Sequence, residues 1–197
     1  MSLIKSISGI RGTIGGKVDD NLTPVDVVKF TAAFGTWLQK TQNKKELTLV
    51  IGRDARISGA MVNSLVTATL QGLGINVVDL GLSTTPTVEV MVPELKADGG
   101  IILTASHNPK QWNALKLLNE KGEFISGKDG AEMLEIAEKE DFNFAEVHNK
   151  IEIRWDEEKN KIVLNGIMDD ESINAFTSQM RLKGFIRKDH GCPVKVI

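Results

Sequence analysis

Cysteine is almost absent from this chain. Of 197 residues only Cys192 carries a thiol, so an intramolecular disulfide framework is excluded, and the pattern suits a reducing, cytoplasmic setting. Histidine is scarce as well. His107, His148 and His190 stand far apart and none sits at metal-ligand spacing to another, which argues against a His/Cys zinc site. Excess charge of either sign is missing: 24 Lys and Arg against 26 Asp and Glu leave a formal net charge of -2, so no global field draws the protein to nucleic acid or to a membrane. Any anion site has to be local. Long apolar runs are missing too. No window approaches the roughly 18 residues a membrane helix needs, and the N-terminus MSLIKSISGIRG has no apolar core of signal-peptide length. Internal repeats and low-complexity tracts are not found. Trp37, Trp112 and Trp155 are expected to anchor packing rather than to stack nucleic-acid bases, because the charge is near neutral and aromatic interleaving is absent.

What remains is an ordinary globular chain. A hydrophobic content of 41% over 197 residues can bury at least one core. Thr23-Pro24-Val25-Asp26 reads as an N-cap, a proline at the first helical position and an acid that reaches back, which predicts a helix over 24–39. The same cap accounts for Thr23 better than the N-glycosylation pattern at Asn21-Leu22-Thr23 does. Strands are expected at 47–52, 75–81 and 99–105, with helices between them at 58–73 and 85–95. Such spacing is that of right-handed βαβ crossovers, and the near-continuous apolar strands suit a sheet covered on both faces. The segment NALKLLN is expected to be a further strand, with GEFIS as its hairpin partner, before an amphipathic helix over 129–140.

The expected fold is therefore α/β: a three-layer α/β/α domain with a mixed, largely parallel sheet. It should occupy residues 1–150. Residues 151–197 are expected to be a connector, weakly helical over 168–182, and the opening strand GCPVKVI of a truncated second α/β domain. That free strand end could pair with another chain, so a fragment dimer is possible.

Ligands of α/β sheets collect at the carboxyl ends of the strands. Three loops should share that rim: IGRDARISG, LSTTP and TASHNP. Arg53 and Arg56 would lie near Ser106, and arginine forks suit phosphate oxygens. The glycine-rich SGIRGTIGG segment around Arg11 would be free to fold over the rim. A serine beside several cations, with Lys116 ten residues on, can carry a phosphoryl group; Ser, Asn and Pro are equally ordinary turn residues. Other phosphate motifs fail. GIRGTIGGK has arginine where a P-loop needs glycine and Val18 where it needs Ser or Thr. Gly72-Leu73-Gly74 lacks the third glycine of the dinucleotide fingerprint and precedes a strand.

TASHNP with Lys116 downstream, preceded by GRDARISG and SGIRGTIGG, resembles the α-D-phosphohexomutase superfamily over roughly 4–125. The resemblance implies the phosphoserine domain of an intramolecular phosphotransferase of phosphoglucomutase/phosphomannomutase type. Ser106 would carry the phosphoryl group and help to ligate Mg2+. His107 would line the active site, Lys116 would be a general acid/base, Arg11 would contact phosphate, and Arg53 and Asn108 would bind the phosphate of the substrate. The substrate would be a hexose phosphate, with hexose 1,6-bisphosphate as intermediate and activator. A longer chain would supply the remaining domains, and the fragment alone would be inactive. Phosphoglucosamine mutase, or a non-catalytic phosphosugar-binding module, are the alternatives. Where the family often has asparagine-glycine this chain reads Asn113-Ala114, which bears on a turn expected before Lys116.

Overall fold

In the computed structural model the described residues are 2–6, 9–42, 44 and 46–146, together with the backbone of 152–156 and 161–165. The chain divides into two units, Met1–Phe144 and Ala145–Ile197. Within the second, only a hairpin of β7 (Glu152–Asp156) and β8 (Lys161–Asn165) falls among the described residues. The helix expected over 168–182, the strand expected at GCPVKVI and Cys192 lie outside them.

The first unit runs β1 (Ile4–Ser6), β2 (Gly9–Thr13), α1 (Pro24–Gln42), β3 (Thr48–Arg53), α2 (Gly59–Gly72), β4 (Asn76–Leu82), α3 (Thr85–Glu94), β5 (Gly99–Leu103), β6 (Trp112–Leu118) and α4 (Gly127–Lys139). Its sheet has the order β1-β2-β6-β5-β3-β4. β3 pairs in parallel with β4 on one side and with β5 on the other, whereas β6 is antiparallel to both β5 and β2. From β3 the chain steps outward to β4 and then back past β3 to β5. Two right-handed crossovers in opposite directions must place their helices on opposite faces, and they do. Leu49, Ile51, Ile101 and Leu103 pack into a cluster with α1, α2 and α4. Val50 and Ile102 meet Val88 and Val92 of α3 on the other face. The result is three layers, α/β/α, and the reversal of direction leaves a crevice at the carboxyl ends of β3 and β5.

Local chemistry explains the helix starts. Thr23 donates to and accepts from Asp26, which also accepts from the Thr23 backbone N–H at 3.0 Å, so α1 begins in a capping box. The glycosylation pattern is closed, since Thr23 is buried and the Asn21 side chain is spent on Thr13 and Ser2. Ser126 and Asp129 form a second capping box and start α4 two residues earlier than periodicity alone indicates. Thr84 caps α3 by accepting from the Thr87 N–H. In α1 every residue from Phe30 to Leu38 is buried, not one face only, because α2 and α4 flank it on the sheet. Small Ala32, Ala33 and Gly35 permit that; a Cβ on Gly35 would come within 2.5 Å of Leu73. Trp37 stacks on Phe34 and donates to Glu132 of α4 at 3.1 Å. Past α4, Asp141 accepts from Lys40 of α1 at 2.7 Å, and that hydrogen bond holds its carboxyl below the ordinary range.

Three expectations are corrected. The segment around Arg11 is not free to fold over the rim: it is β2, hydrogen-bonded to β6 in the register Arg11 to Ala114. Gly9 starts it at φ +118°, where a Cβ would meet the Leu115 carbonyl oxygen at 2.0 Å, so only glycine permits the approach. Asn113-Ala114 forms no turn either, since both lie inside β6. The hairpin partner expected at GEFIS reduces to a single bridge between Leu118 and Phe124. Among the described residues no helix is long and apolar enough to cross a membrane.

Candidate functional site

Ser106 stands three residues beyond β5, exposed, at φ +53°. A non-glycine residue in that left-handed region costs on the order of 1–2 kcal/mol, so its surroundings must hold it there. Its backbone N–H donates to Thr104 Oγ1 at 3.1 Å, and the Thr104 hydroxyl donates to Asp54 Oδ2 at 2.6 Å. Asp54 in turn accepts from the Arg56 backbone N–H at 3.0 Å and from Arg56 Nε at 3.1 Å. The rest of the Arg56 guanidinium reaches across the crevice. Nη2 donates to the carbonyls of Ser106 (2.7 Å) and Asn108 (2.9 Å), and Nη1 to those of Pro109 (2.8 Å) and Trp112 (3.0 Å).

The serine side chain faces a lysine. Lys116 Nζ lies 2.9 Å from Ser106 Oγ and 5.9 Å from the centre of the Phe124 ring. Paired positions in neighbouring strands share a face. Ile102 pairs with Lys116 and Ala114 with Arg11, so Arg11 and Lys116 lie on the α3 side of the sheet. The α3 helix packs over β3 and β5, and the two cations sit beyond its edge on β2 and β6. Arg11 is exposed, and its side chain has no hydrogen-bond or ion-pair partner among the described residues. Lys110 is likewise exposed on the loop. With Asp54 neutralised by Arg56 at 3.1 Å, the rim is locally cationic on a chain whose net charge is slightly negative.

Of the residues singled out in the sequence, Ser106 and Lys116 are in direct contact. Arg11 joins them through strand register. His107 is exposed in the loop, and its imidazole has no partner among the described residues. Asn108 is half-buried and takes part through its backbone, donating its N–H to the Ala105 carbonyl at 3.0 Å and offering its own carbonyl to Arg56. Arg53 ends β3 on the rim, but its guanidinium donates to the Asp54 carbonyl at 3.3 Å rather than to the serine loop. Asp54 was not singled out, and the bonding roles of Thr104, within TASHNP, and of Asn113 were not foreseen. Asn113 is fully buried and donates to Ser58 Oγ at 3.0 Å, tying β6 to the start of α2. The aspartate two residues before an arginine in GRDARISG is the only sequence signal of the network, and it does not tell Arg53 from Arg56.

The donor set does not make a magnesium site. Among the described residues no three His, Cys, Asp or Glu side chains come together. Asp54, the carboxylate bonded into the serine loop, is already engaged by Arg56 and Thr104. Ser106 could offer a cation a single oxygen.

Comparison with known proteins adds to this geometry. The family model described as phosphoglucomutase/phosphomannomutase, alpha/beta/alpha domain I, matches residues 3–144. A phosphoglucomutase/phosphomannomutase of Thermococcus kodakarensis is 35% identical over 145 residues, 73% of this chain and 32% of that protein. A phosphoglucosamine/phosphogalactosamine mutase of Sulfurisphaera tokodaii is 32% identical over 192 residues, 96% of this chain and 38% of its own length. The chain thus spans about a third of the length of these relatives. In three dimensions it resembles the crystal structure of a phosphoglucomutase/phosphomannomutase family protein from Burkholderia thailandensis, with a TM-score of 0.61 over 72% of this chain and 31% of that one. At 23% identity that likeness speaks for the fold alone.

Proposed function

The chain belongs to the phosphoglucomutase/phosphomannomutase family, whose α/β/α domain I it contains, and from that premise we propose that it is the phosphoryl-carrying part of a phosphohexomutase. The single observation that carries the reading is the 2.9 Å contact between Ser106 Oγ and Lys116 Nζ on a cationic rim. Phosphoryl transfer asks for positioning and charge neutralisation more than for new covalent chemistry.

In the proposed reaction, phosphoserine 106 gives its phosphoryl group to a free hydroxyl of a hexose monophosphate. The phosphorus–Oγ bond breaks as the phosphorus–sugar oxygen bond forms, and the hydroxyl proton passes to the departing Oγ. Lys116 is the side chain within reach to hand that proton over. The hexose 1,6-bisphosphate so formed turns round, and its other phosphoryl group returns to Oγ by the reverse of these steps. The net result moves phosphate between the 1- and 6-positions. Arg11 would attract the phosphate from the open half of the sheet face, with Arg53, His107 and Asn108 bordering it. A magnesium ion would need its other ligands from outside the described residues.

The sugar is proposed to be glucose or mannose. Relatives named for glucosamine phosphate match comparably, which makes that sugar the second candidate. The test is interconversion of the 1- and 6-phosphates of glucose, mannose and glucosamine by the natural gene product. Ser106→Ala should abolish turnover of whichever sugar is used. Turnover that survives the substitution would remove Ser106 from the carrier role. Binding of the sugar phosphate without any interconversion would favour a non-catalytic phosphosugar-binding module.

A further inference from the structure

We infer that Arg56 is the positioning residue of the serine loop: it sets Ser106 Oγ against Lys116 and gives nothing to the substrate. The inference rests on the phosphoryl-carrier reading above for its kinetic consequence, but not for its structural one. Arginine has five N–H donors in a rigid plane. Here all five are used, one on Asp54 Oδ2 and four on the carbonyls of Ser106, Asn108, Pro109 and Trp112. The side chain is only 10% exposed, and its charge is matched by Asp54. No donor is left for a phosphate. Arg11 has every side-chain donor unspent among the described residues, and Arg53 has one bond, to the Asp54 carbonyl. Three arginines close to one rim are therefore not equivalent, and the one bonded into the serine loop is the one that cannot bind an anion without releasing the loop.

The four carbonyls span 106–112, a segment also tied to the sheet side by the Gln111 carbonyl, which accepts from the Ile14 N–H at 2.8 Å. Within it the Asn108 N–H reaches the Ala105 carbonyl and the Trp112 N–H reaches the Pro109 carbonyl. Arg56 gathers these short turns onto one plane anchored at the end of β3. Asp54 then links the same plane, through Thr104 Oγ1, to the N–H of Ser106. The serine is thus held from both sides in its left-handed conformation. Lysine cannot substitute, because an ammonium has three donors without the planar fork.

The test is Arg56→Lys in the natural gene product, read by backbone hydrogen exchange and by steady-state kinetics on hexose phosphate. The amides of Asn108 and Trp112 should exchange at least about tenfold faster, while those of β5 and of β6 beyond Trp112 keep their protection. The kcat should fall by about tenfold to a hundredfold with KM within about twofold, the pattern of a misplaced reacting group rather than of a lost binding group. Asp54→Asn, which keeps the guanidinium but loosens its anchor, should move both readouts in the same direction and less far; it decides the matter if Arg56→Lys does not fold. A raised KM at unchanged kcat would overturn the inference by making Arg56 a substrate ligand. Unaltered exchange at Asn108 and Trp112 would overturn it too. If the unsubstituted protein interconverts no hexose phosphate, the phosphoryl-carrier reading has failed, and the exchange measurement alone still decides whether Arg56 holds the loop.

Discussion

Ser106 combines two demands that a single residue rarely meets: an exposed hydroxyl and a backbone conformation disfavoured for any residue with a Cβ. The second can be measured separately from the first. Ser106→Ala and Ser106→Gly both remove the hydroxyl and its bond from Lys116. Only glycine is at ease at φ +53°. Chemical denaturation should therefore find Ser106→Gly more stable than Ser106→Ala by about 1 kcal/mol. Equal stability, or the reverse order, would mean that the loop relaxes and that no strain is held at the serine. The local sequence TASHNP marked this residue for attention, but its conformation was not legible there. Left-handed serine is held by its bond to Thr104 and the bond it accepts from Arg56, and Arg56 lies fifty residues away in sequence.

At the scale of elements, the parts of the fold set by local chemistry were readable and those set by partners were not. Proline after threonine located the start of α1, and β-branched runs ended by glycine located β3 and β4, because caps and periodicity act within a few residues. β1 and β2 escaped notice. They are three and five residues long; β2 carries two glycines, and the pair extends the sheet only because β6 offers β2 an edge, with β1 added on β2. The same dependence on a distant partner hid Asn113. Its side chain is fully buried and joins β6 to the first turn of α2 through Ser58. Asn113→Ala should lower the unfolding free energy by about 1–3 kcal/mol, the usual cost of leaving a buried polar partner unsatisfied. It should also speed amide exchange in the first turn of α2. A loss below about 0.5 kcal/mol would show that water replaces the amide at no cost.

Across the whole first unit, the order of the strands explains why the chemistry sits where it does. The reversal from β4 back past β3 to β5 opens a crevice at the carboxyl ends of β3 and β5. One side of that crevice supplies Asp54 and Arg56, the other supplies Ser106. The antiparallel β6 then returns Lys116 to the serine, and β2 places Arg11 beside it. The mixed sheet is what returns the chain to the rim: a fully parallel one would carry the residues after Ser106 away through another helix. The family's first domain accounts for 3–144, and the catalytic cycle proposed for it turns on one covalent event. The measurement that tests it most directly is phosphopeptide mapping of the natural gene product after equilibration with glucose 1,6-bisphosphate. A single phosphoryl group is expected, on Ser106, discharged by added hexose monophosphate. Interconversion of hexose phosphates with Ser106 unmodified, or with the phosphoryl group on another residue, would contradict it.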